Sequence, residues 1–169
     1  YKLALNRIEG IYPQNEIIWS YNWGGRSQDN FARKHEYAWC YSKGKKFLFN
    51  GDDVRVDRKV TKNLRSGKNY TKGTIPTCVW EKNNHTTSVD YCGWHPTTKN
   101  LDILQRIIRA YTNENDTVLD IFMGSGSTAI ASKLTNRDYI GCELDIDYIT
   151  KARKRIKSYD RINTLSAIL

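Results

Sequence analysis

The sequence predicts an α/β fold, a mostly parallel sheet layered with helices and joined to a strand hairpin. Three observations lead there. From residue 101 onward, stretches of helical and strand character alternate as helix–strand–helix–strand–helix, the order that builds parallel sheets. The apolar run Val118-Leu119-Asp120-Ile121 enters the turn Gly124-Ser125-Gly126, which opens a helix. Two runs rich in Ile, Trp and Tyr, near 15–21 and 36–41, flank a polar stretch holding Gly24-Gly25, as in two neighbouring strands joined by a long loop.

Each element has its own reason. Residues 1–9 place Leu3, Leu5 and Ile8 as the tail of a helix stopped by Gly10. A chain that starts inside a helix without Met is expected to be part of something longer. Asn15–Tyr21 reads as a strand through Ile17, Ile18 and Trp19, and Glu36–Tyr41 as a second through the alternation of Tyr37, Trp39 and Tyr41. Later, Leu101, Leu104, Ile107, Ile108 and Tyr111 share one helical face. Thr117–Ile121 reads as a short buried strand, Ser127–Leu134 as a helix capped by Ser or Thr, and Asp138–Leu144 as a second strand. Tyr148, Ile149, Ala152 and Ile156 mark a basic amphipathic helix.

Between the halves, residues 43–72 lose apolar periodicity. They hold ten basic residues (Lys43, Lys45, Lys46, Arg55, Arg58, Lys59, Lys62, Arg65, Lys68, Lys72) against three Asp. A solvated loop and a phosphate-tracking surface both fit; the net charge of +9 on 169 residues admits a polyanion partner, and the second reading is favoured only once the motifs below are added. Five Trp and eleven Tyr suit stacking on bases, although a core absorbs most of them. The expected organisation is 1–42 with the hairpin, 43–92 as a basic recognition segment, and 93–169 as a cofactor-binding unit. No apolar run is long enough to cross a bilayer, and the scattered Cys40, Cys78, Cys92 and Cys142 read as reduced thiols of a cytoplasmic protein. A zinc site from Cys78, His85, Cys92 and His95 is the alternative, but these lack a tight knuckle, so no metal is expected. The sequons at Asn69, Asn84 and Asn115 carry no meaning in such a compartment.

The chemistry concentrates in 118–129. A strand, a glycine turn and a helix start create a place where a ligand can approach backbone N–H groups, and Glu143 follows at the end of the next strand. A carboxylate there can accept hydrogen bonds from both ribose hydroxyls of an adenosine. A phosphate-binding loop of the Gly-Lys-Ser/Thr type is excluded, since no Lys follows the glycines. A dinucleotide fold matches Gly124-x-Gly126-x-x-Ala129, but only 26 residues follow Glu143, and Asp120 would repel a pyrophosphate. S-adenosylmethionine, with an ammonium, a sulfonium and a ribose, suits Asp120 and Glu143 together.

The stretch Asp120-Ile121-Phe122-Met123-Gly124-Ser125-Gly126-Ser127-Thr128 resembles the Asp-Pro-Phe-x-Gly-Ser-Gly-Thr-Thr motif of DNA amino-methyltransferases. His95-Pro96-Thr97-Thr98-Lys99-Asn100 resembles their His-Pro-Thr-Gln-Lys-Pro, and Tyr139-Ile140-Gly141-Cys142-Glu143-Leu144-Asp145 their second strand. Asn15–Tyr21, Lys34–Tyr37 and Tyr41–Lys43 are also similar to the family, in the subgroup that puts its catalytic half first. The resemblance implies a partial Rossmann-like S-adenosylmethionine-dependent methyltransferase fold acting on double-stranded DNA. It implies that Asp120 and Phe122 border the cofactor, that Gly124, Ser125, Gly126 and Ser127 form its turn, and that Glu143 holds the ribose. His95, Thr97 and Lys99 would close the pocket, and Arg26, Arg33, His35, Lys59, Lys62 and Arg65 would meet DNA. Ile121 and Asn100 replace prolines of the family pattern, which loosens two turns. The family's Asp-Pro-Pro-Tyr is missing, because Pro13, Pro76 and Pro96 are the only prolines and none is adjacent to another. The chain is therefore expected to be idle alone, as a fragment, as half of a split enzyme completed by its catalytic half or accompanied by a restriction subunit, or as a non-catalytic binding module.

Overall fold

The structure, a computed structural model, describes residues 2–22, 24–57, 73–81 and 91–166. The chain divides into two compact units, Tyr1–Asn83 and Asn84–Leu169. The first contains a short helix α1 (Lys2–Leu5), strands β1 (Ile11–Ser20) and β2 (His35–Lys43), a 3-10 turn at Gly51–Val54, and β3 (Val79–Glu81). Strand order is β2-β1-β3, with β2 antiparallel and β3 parallel to β1.

The hairpin expected from the sequence is present and longer than expected. β1 starts at Ile11, and its register with β2 shifts between Pro13 and Asn15, a bulge at Gln14 directly after a proline that has no N–H to donate. The helix expected over 1–9 ends at Leu5. Beyond it, Arg7 and Ile8 donate N–H to Ala4 and Leu5 carbonyls three residues back, and Gly10 at φ +78° turns the chain into β1. Ile17 and Trp19 alternate inward from β1, and Trp80 joins them from β3, its indole N–H bonded to Thr77 O at 2.6 Å.

Residues 44–57 contain no strand, as the loss of periodicity implies. Val56 makes one antiparallel bridge to Thr74. Arg58, Lys59, Lys62, Arg65, Lys68 and Lys72 lie outside the described residues.

The second unit runs α2 (Leu101–Tyr111), β4 (Thr117–Asp120), α3 (Ser127–Lys133), β5 (Asp138–Gly141) and α4 (Ile146–Ser166), with β4 and β5 parallel. This is the order the sequence predicts. The core gathers Leu101 and Ile108 from α2, Met123, Ala129, Ile130 and Ala131 around α3, and Ile156 from α4. α2 also buries Ile103 and Ala110, outside the face read from the sequence. Asn100, standing where the family pattern has Pro, caps α2 by accepting Ile103 N–H at 3.3 Å, so the substitution adds a cap where a looser turn was expected. α3 has no Ser or Thr cap; Gly126 occupies that position at φ +79°.

One expectation is overturned. β4, expected as a buried strand, is only partly covered, and β5 beside it is exposed. Val118 packs against the core, but its neighbour Leu119 is 62% exposed, and Ile140, paired with Leu119, is 56% exposed. Side chains alternate across a strand, so one face of this two-stranded sheet meets α3 while the other carries Leu119, Ile121 and Ile140 into solvent. An apolar run marks burial on two faces; it does not say that this chain supplies both covering layers. β5 also ends at Gly141, leaving Glu143 two residues past the strand.

Arg137 joins the end of α2 to the turn before β5. It is 7% exposed, donating from Nε to Thr112 Oγ1 at 3.0 Å, from Nη2 to Thr112 O at 2.7 Å, and from Nη1 to Thr135 O. Replacing it leaves buried carbonyls without donors, so Arg137→Met is expected to lower stability by about 2–3 kcal/mol in urea titrations of the chain. A change below 0.5 kcal/mol, the ordinary range for surface substitutions, would contradict this role.

Candidate functional site

Asp120 ends β4 and braces the loop that follows. Its Oδ1 accepts Phe122 N–H at 2.9 Å and its Oδ2 accepts the Thr128 hydroxyl at 2.6 Å, so one carboxylate ties the loop's start to the first turn of α3. Phe122 points outward, 82% exposed. Met123 turns inward, donating N–H to Cys142 O at 2.8 Å and covering Gly141, where a Cβ would lie 2.3 Å from Met123 Cε. Gly124 has φ +51°, and a Cβ there would fall 2.7 Å from His95 Nε2. Both the backbone and the neighbour demand glycine.

Glu143 closes the arrangement. Its Oε2 accepts Gly124 N–H at 2.8 Å, and its Oε1 accepts the N–H groups of Leu144 at 2.8 Å and Asp145 at 3.1 Å. These bonds favour the ionised form and hold the carboxyl below its ordinary 4.5, Asp145 N–H contributing most and Gly124 N–H next. A cavity of about 540 Å³ opens beside this clasp, lined by Met123, Gly124, Tyr139, Gly141, Glu143 and Arg153 among others.

His95 seals the other side of Gly124. Its Nδ1 accepts Thr97 N–H at 3.3 Å, which leaves Nε2 as the protonated nitrogen of the neutral ring. Burial lowers its pKa below 6.5; Glu143 opposes this, while Lys99 and Arg155 add to it. Thr98, 1% exposed, donates to His95 O at 3.1 Å. The imidazole meets Tyr148 edge-on at 4.7 Å, and Trp94 lies 6.1 Å from Tyr148 with Lys151 Nζ 5.9 Å above it.

The structure thus brings His95, Gly124 and Glu143 together, with Asp120 and Phe122 in the same loop. Of the cofactor residues expected from the sequence, only Gly124 and Glu143 line the cavity. Thr97 is exposed and Lys99 half-buried in the segment leading to α2. Ser125 and Ser127 face inward: their hydroxyls lie 3.0 Å apart, and Arg155 donates to Ser125 O at 2.9 Å and Ser127 Oγ at 3.1 Å. Gly126 meets Ile156 side-chain carbons 3.1–3.2 Å from where a Cβ would sit, so packing against α4 requires it. Arg26 and Arg33 are exposed in the β1–β2 loop of the other unit, and His35 begins β2 with its ring edge-on to Tyr37 at 4.9 Å. Lys59, Lys62 and Arg65 fall outside the described residues. Sequence reasoning missed Thr128, Tyr148 and Arg155. Arg155 carried a signal, since a charged residue on the apolar face of α4 needs a partner.

A family model described as DNA methylase matches residues 1–154. The chain belongs to the DNA methylase family. It is similar to the Type II methyltransferase M1.MboII of Moraxella bovis, 35% identical over 85% of this chain and 62% of that protein. It is similar to M.HpaI of Haemophilus parainfluenzae, 34% identical over 94% of this chain and 49% of that protein. The DNA adenine methyltransferase YhdJ of Escherichia coli (strain K12) is 31% identical over 85% of this chain and 52% of its own length. The chain thus spans about half to three fifths of the relatives it matches. The crystal structure of the M1.HpyAVI-SAM complex superposes with a TM-score of 0.61 at 30% identity, covering 87% of this chain and 63% of that one. The cytosine-N4-specific PvuII DNA methyltransferase superposes with a TM-score of 0.64 at 19% identity, covering 87% and 56%, and attests the fold alone. The partial methyltransferase fold read from the sequence is therefore correct.

His95 gives this methylase unit a pH dependence whose sign follows from its lowered pKa. The unfolded chain takes up a proton near 6.5, the folded chain only at lower pH, so stability is full above 6.5 and falls as pH drops below it. The urea midpoint is expected to be flat above pH 6.5 and to decline below, and His95→Gln should flatten the decline down to pH 4.5, the ordinary Glu value, below which the unfolded chain takes up a proton that folded Glu143 resists. An unchanged profile in His95→Gln would contradict the assignment.

Proposed function

We propose that the chain is the S-adenosylmethionine-binding portion of a site-specific, cytoplasmic DNA methyltransferase that methylates an exocyclic amino group, adenine N6, in double-stranded DNA. The observation that carries this reading is the Glu143–Gly124 clasp beside a cavity of about 540 Å³, within the size range of small-ligand sites. The donor set fits the cofactor. An ionised carboxylate has about four lone-pair positions, and three backbone N–H groups use three of them. A ribose diol takes the fourth and displaces one N–H, with Gly124 the candidate because its bond crosses the site. Asp120 offers negative charge to a cationic cofactor while bracing Phe122. His95, Thr97 and Lys99 stand at the Gly124 side. The bound cofactor would supply an electrophilic methyl group. Ser125, Ser127 and Gly126 act from behind, holding the loop on α4 through Arg155 and Ile156. The choice of adenine follows the adenine-specific relative above 30% identity.

DNA would be met by the exposed Arg26 and Arg33, by His35, and by the basic segment containing Lys59, Lys62 and Arg65, whose cations displace counterions from phosphates. The enzyme would be completed by a catalytic half bearing Asp-Pro-Pro-Tyr. The uncovered Leu119, Ile121 and Ile140 give it a surface, since apolar side chains on an unpartnered sheet face favour a covering layer. Each missing hydrogen bond to a reacting centre costs about two to three orders of magnitude in rate. Incubated with radiolabelled S-adenosylmethionine and mixed-sequence duplex DNA, the purified chain should transfer no label above background. Adding a polypeptide that carries the tetrapeptide should start transfer, and Leu119→Asp should reduce it. Transfer by the chain alone, abolished in Asp120→Asn, would contradict the reading. Cofactor binding with no transfer after the addition would favour a non-catalytic module.

A further inference from the structure

The loop between β1 and β2 holds Phe31, the phenylalanine or tyrosine most open to solvent among the described residues, at 99%. The neighbouring turn has defined hydrogen bonds. Asn30 N–H donates to Ser27 Oγ at 3.0 Å, and Phe31 N–H donates to Asn30 Oδ1 at 2.7 Å. At the loop's base Tyr21 N–H bonds to Lys34 O at 3.0 Å, and Lys34 Nζ reaches back to Gly24 O at 3.0 Å. Two side-chain-to-backbone bonds therefore fix the peptide that presents this exposed aromatic ring.

The surroundings suit a polyanion. Arg26 and Arg33 are exposed on the two sides of Phe31 in sequence, against Asp29 as the loop's one acid. Behind the loop, β2 continues with His35, Tyr37 and Trp39 on one strand face; Tyr37 stacks on Trp39 at 6.1 Å and 12° and is 49% exposed. An exposed ring with an exposed Arg on each side of it in sequence, followed by half-open aromatic rings, suits the way proteins part stacked bases: cations hold phosphates while an apolar wedge enters a base step.

We infer that Phe31 is a wedge that enters the DNA base stack, with Arg26 and Arg33 on the flanking phosphates. This rests on the reading of the chain as part of a DNA methyltransferase and adds a residue to it. A wedge has a signature that phosphate contacts lack. Opening a base step costs less where pairing is already weak, so a wedge favours a mismatched duplex over a matched one of the same length and charge. Contacts to phosphates alone do not distinguish them.

The experiment titrates the 169-residue chain against two 30-base-pair duplexes that differ by one mismatch, each with 2-aminopurine beside the variable position. Salt dependence of wild-type binding to the matched duplex comes first, and binding without salt dependence would overturn the DNA reading itself. Given salt-dependent binding, wild type is expected to bind the mismatched duplex about five- to a hundredfold more tightly, with a rise in 2-aminopurine fluorescence. Phe31→Ala should lose both the preference and the rise, and Phe31→Trp should retain them. Arg26→Gln with Arg33→Gln should weaken both duplexes equally and flatten the salt slope by up to about two. A Phe31→Ala chain that keeps the preference would overturn the wedge and leave the DNA reading standing, as would a wild type with no preference. Because Phe31 is fully exposed, its replacement leaves the core untouched, and far-ultraviolet circular dichroism of the variants should match wild type.

Discussion

The Glu143 carboxylate accepts three backbone N–H groups, one from Gly124 in the β4–α3 loop and two from its own turn after β5. That one side chain joins the two places where a strand of the parallel pair gives way to a helix. With Gly124 held from one side by Glu143 and pressed from the other by His95, the loop has little freedom left. Asp120 secures its beginning and Arg155 its end. The result is a rim beside the cavity braced from several sides, so that giving up the Gly124 N–H bond to a ligand leaves the Leu144, Asp145 and Asp120 bonds to hold the two turns in place.

Much of this was legible in the sequence because it is local. A strand entering Gly-x-Gly and a helix, then an acid after the next strand, can be read from order and spacing alone. The β1–β2 hairpin was legible from alternation at Tyr37, Trp39 and Tyr41. What was not legible depends on contacts between distant residues. Arg155 lies 30 positions from Ser125, and nothing in periodicity says that its guanidinium reaches that carbonyl. Ser125 and Ser127 look like ligand-facing residues in a glycine turn, yet both point inward. Gly126 is required by Ile156 on α4. Asn100 could be read as a lost proline or as a gained cap, and only the bond to Ile103 decides.

The burial of β4 was misread for a different reason. Leu119, Ile121 and Ile140 have the composition of strands covered on both faces, and among the described residues one face is covered. The relatives are longer than this chain by enough to supply further layers, so the apolar face and the partial coverage of M.HpaI and M1.MboII are consistent with each other. Under the proposed function the two units divide the tasks: the residues assigned to the cofactor lie in the second unit, and the exposed Arg26, Phe31 and Arg33 in the first.

The central claim is that the Glu143–Gly124 clasp is the cofactor's ribose seat. It is tested most directly by calorimetric titration of S-adenosylmethionine into the chain and into Glu143→Gln, with thermal melts of both. The account predicts saturable one-to-one binding to the wild type and affinity about tenfold weaker in the variant, since a neutral amide is a poorer acceptor than a carboxylate. The variant is expected to melt at a lower temperature, because the amide NH2 faces at least one N–H that the carboxylate accepted, so both titrations are run well below the lower melting temperature. Equal affinity in the two chains would contradict the account, and so would S-adenosylmethionine that binds neither.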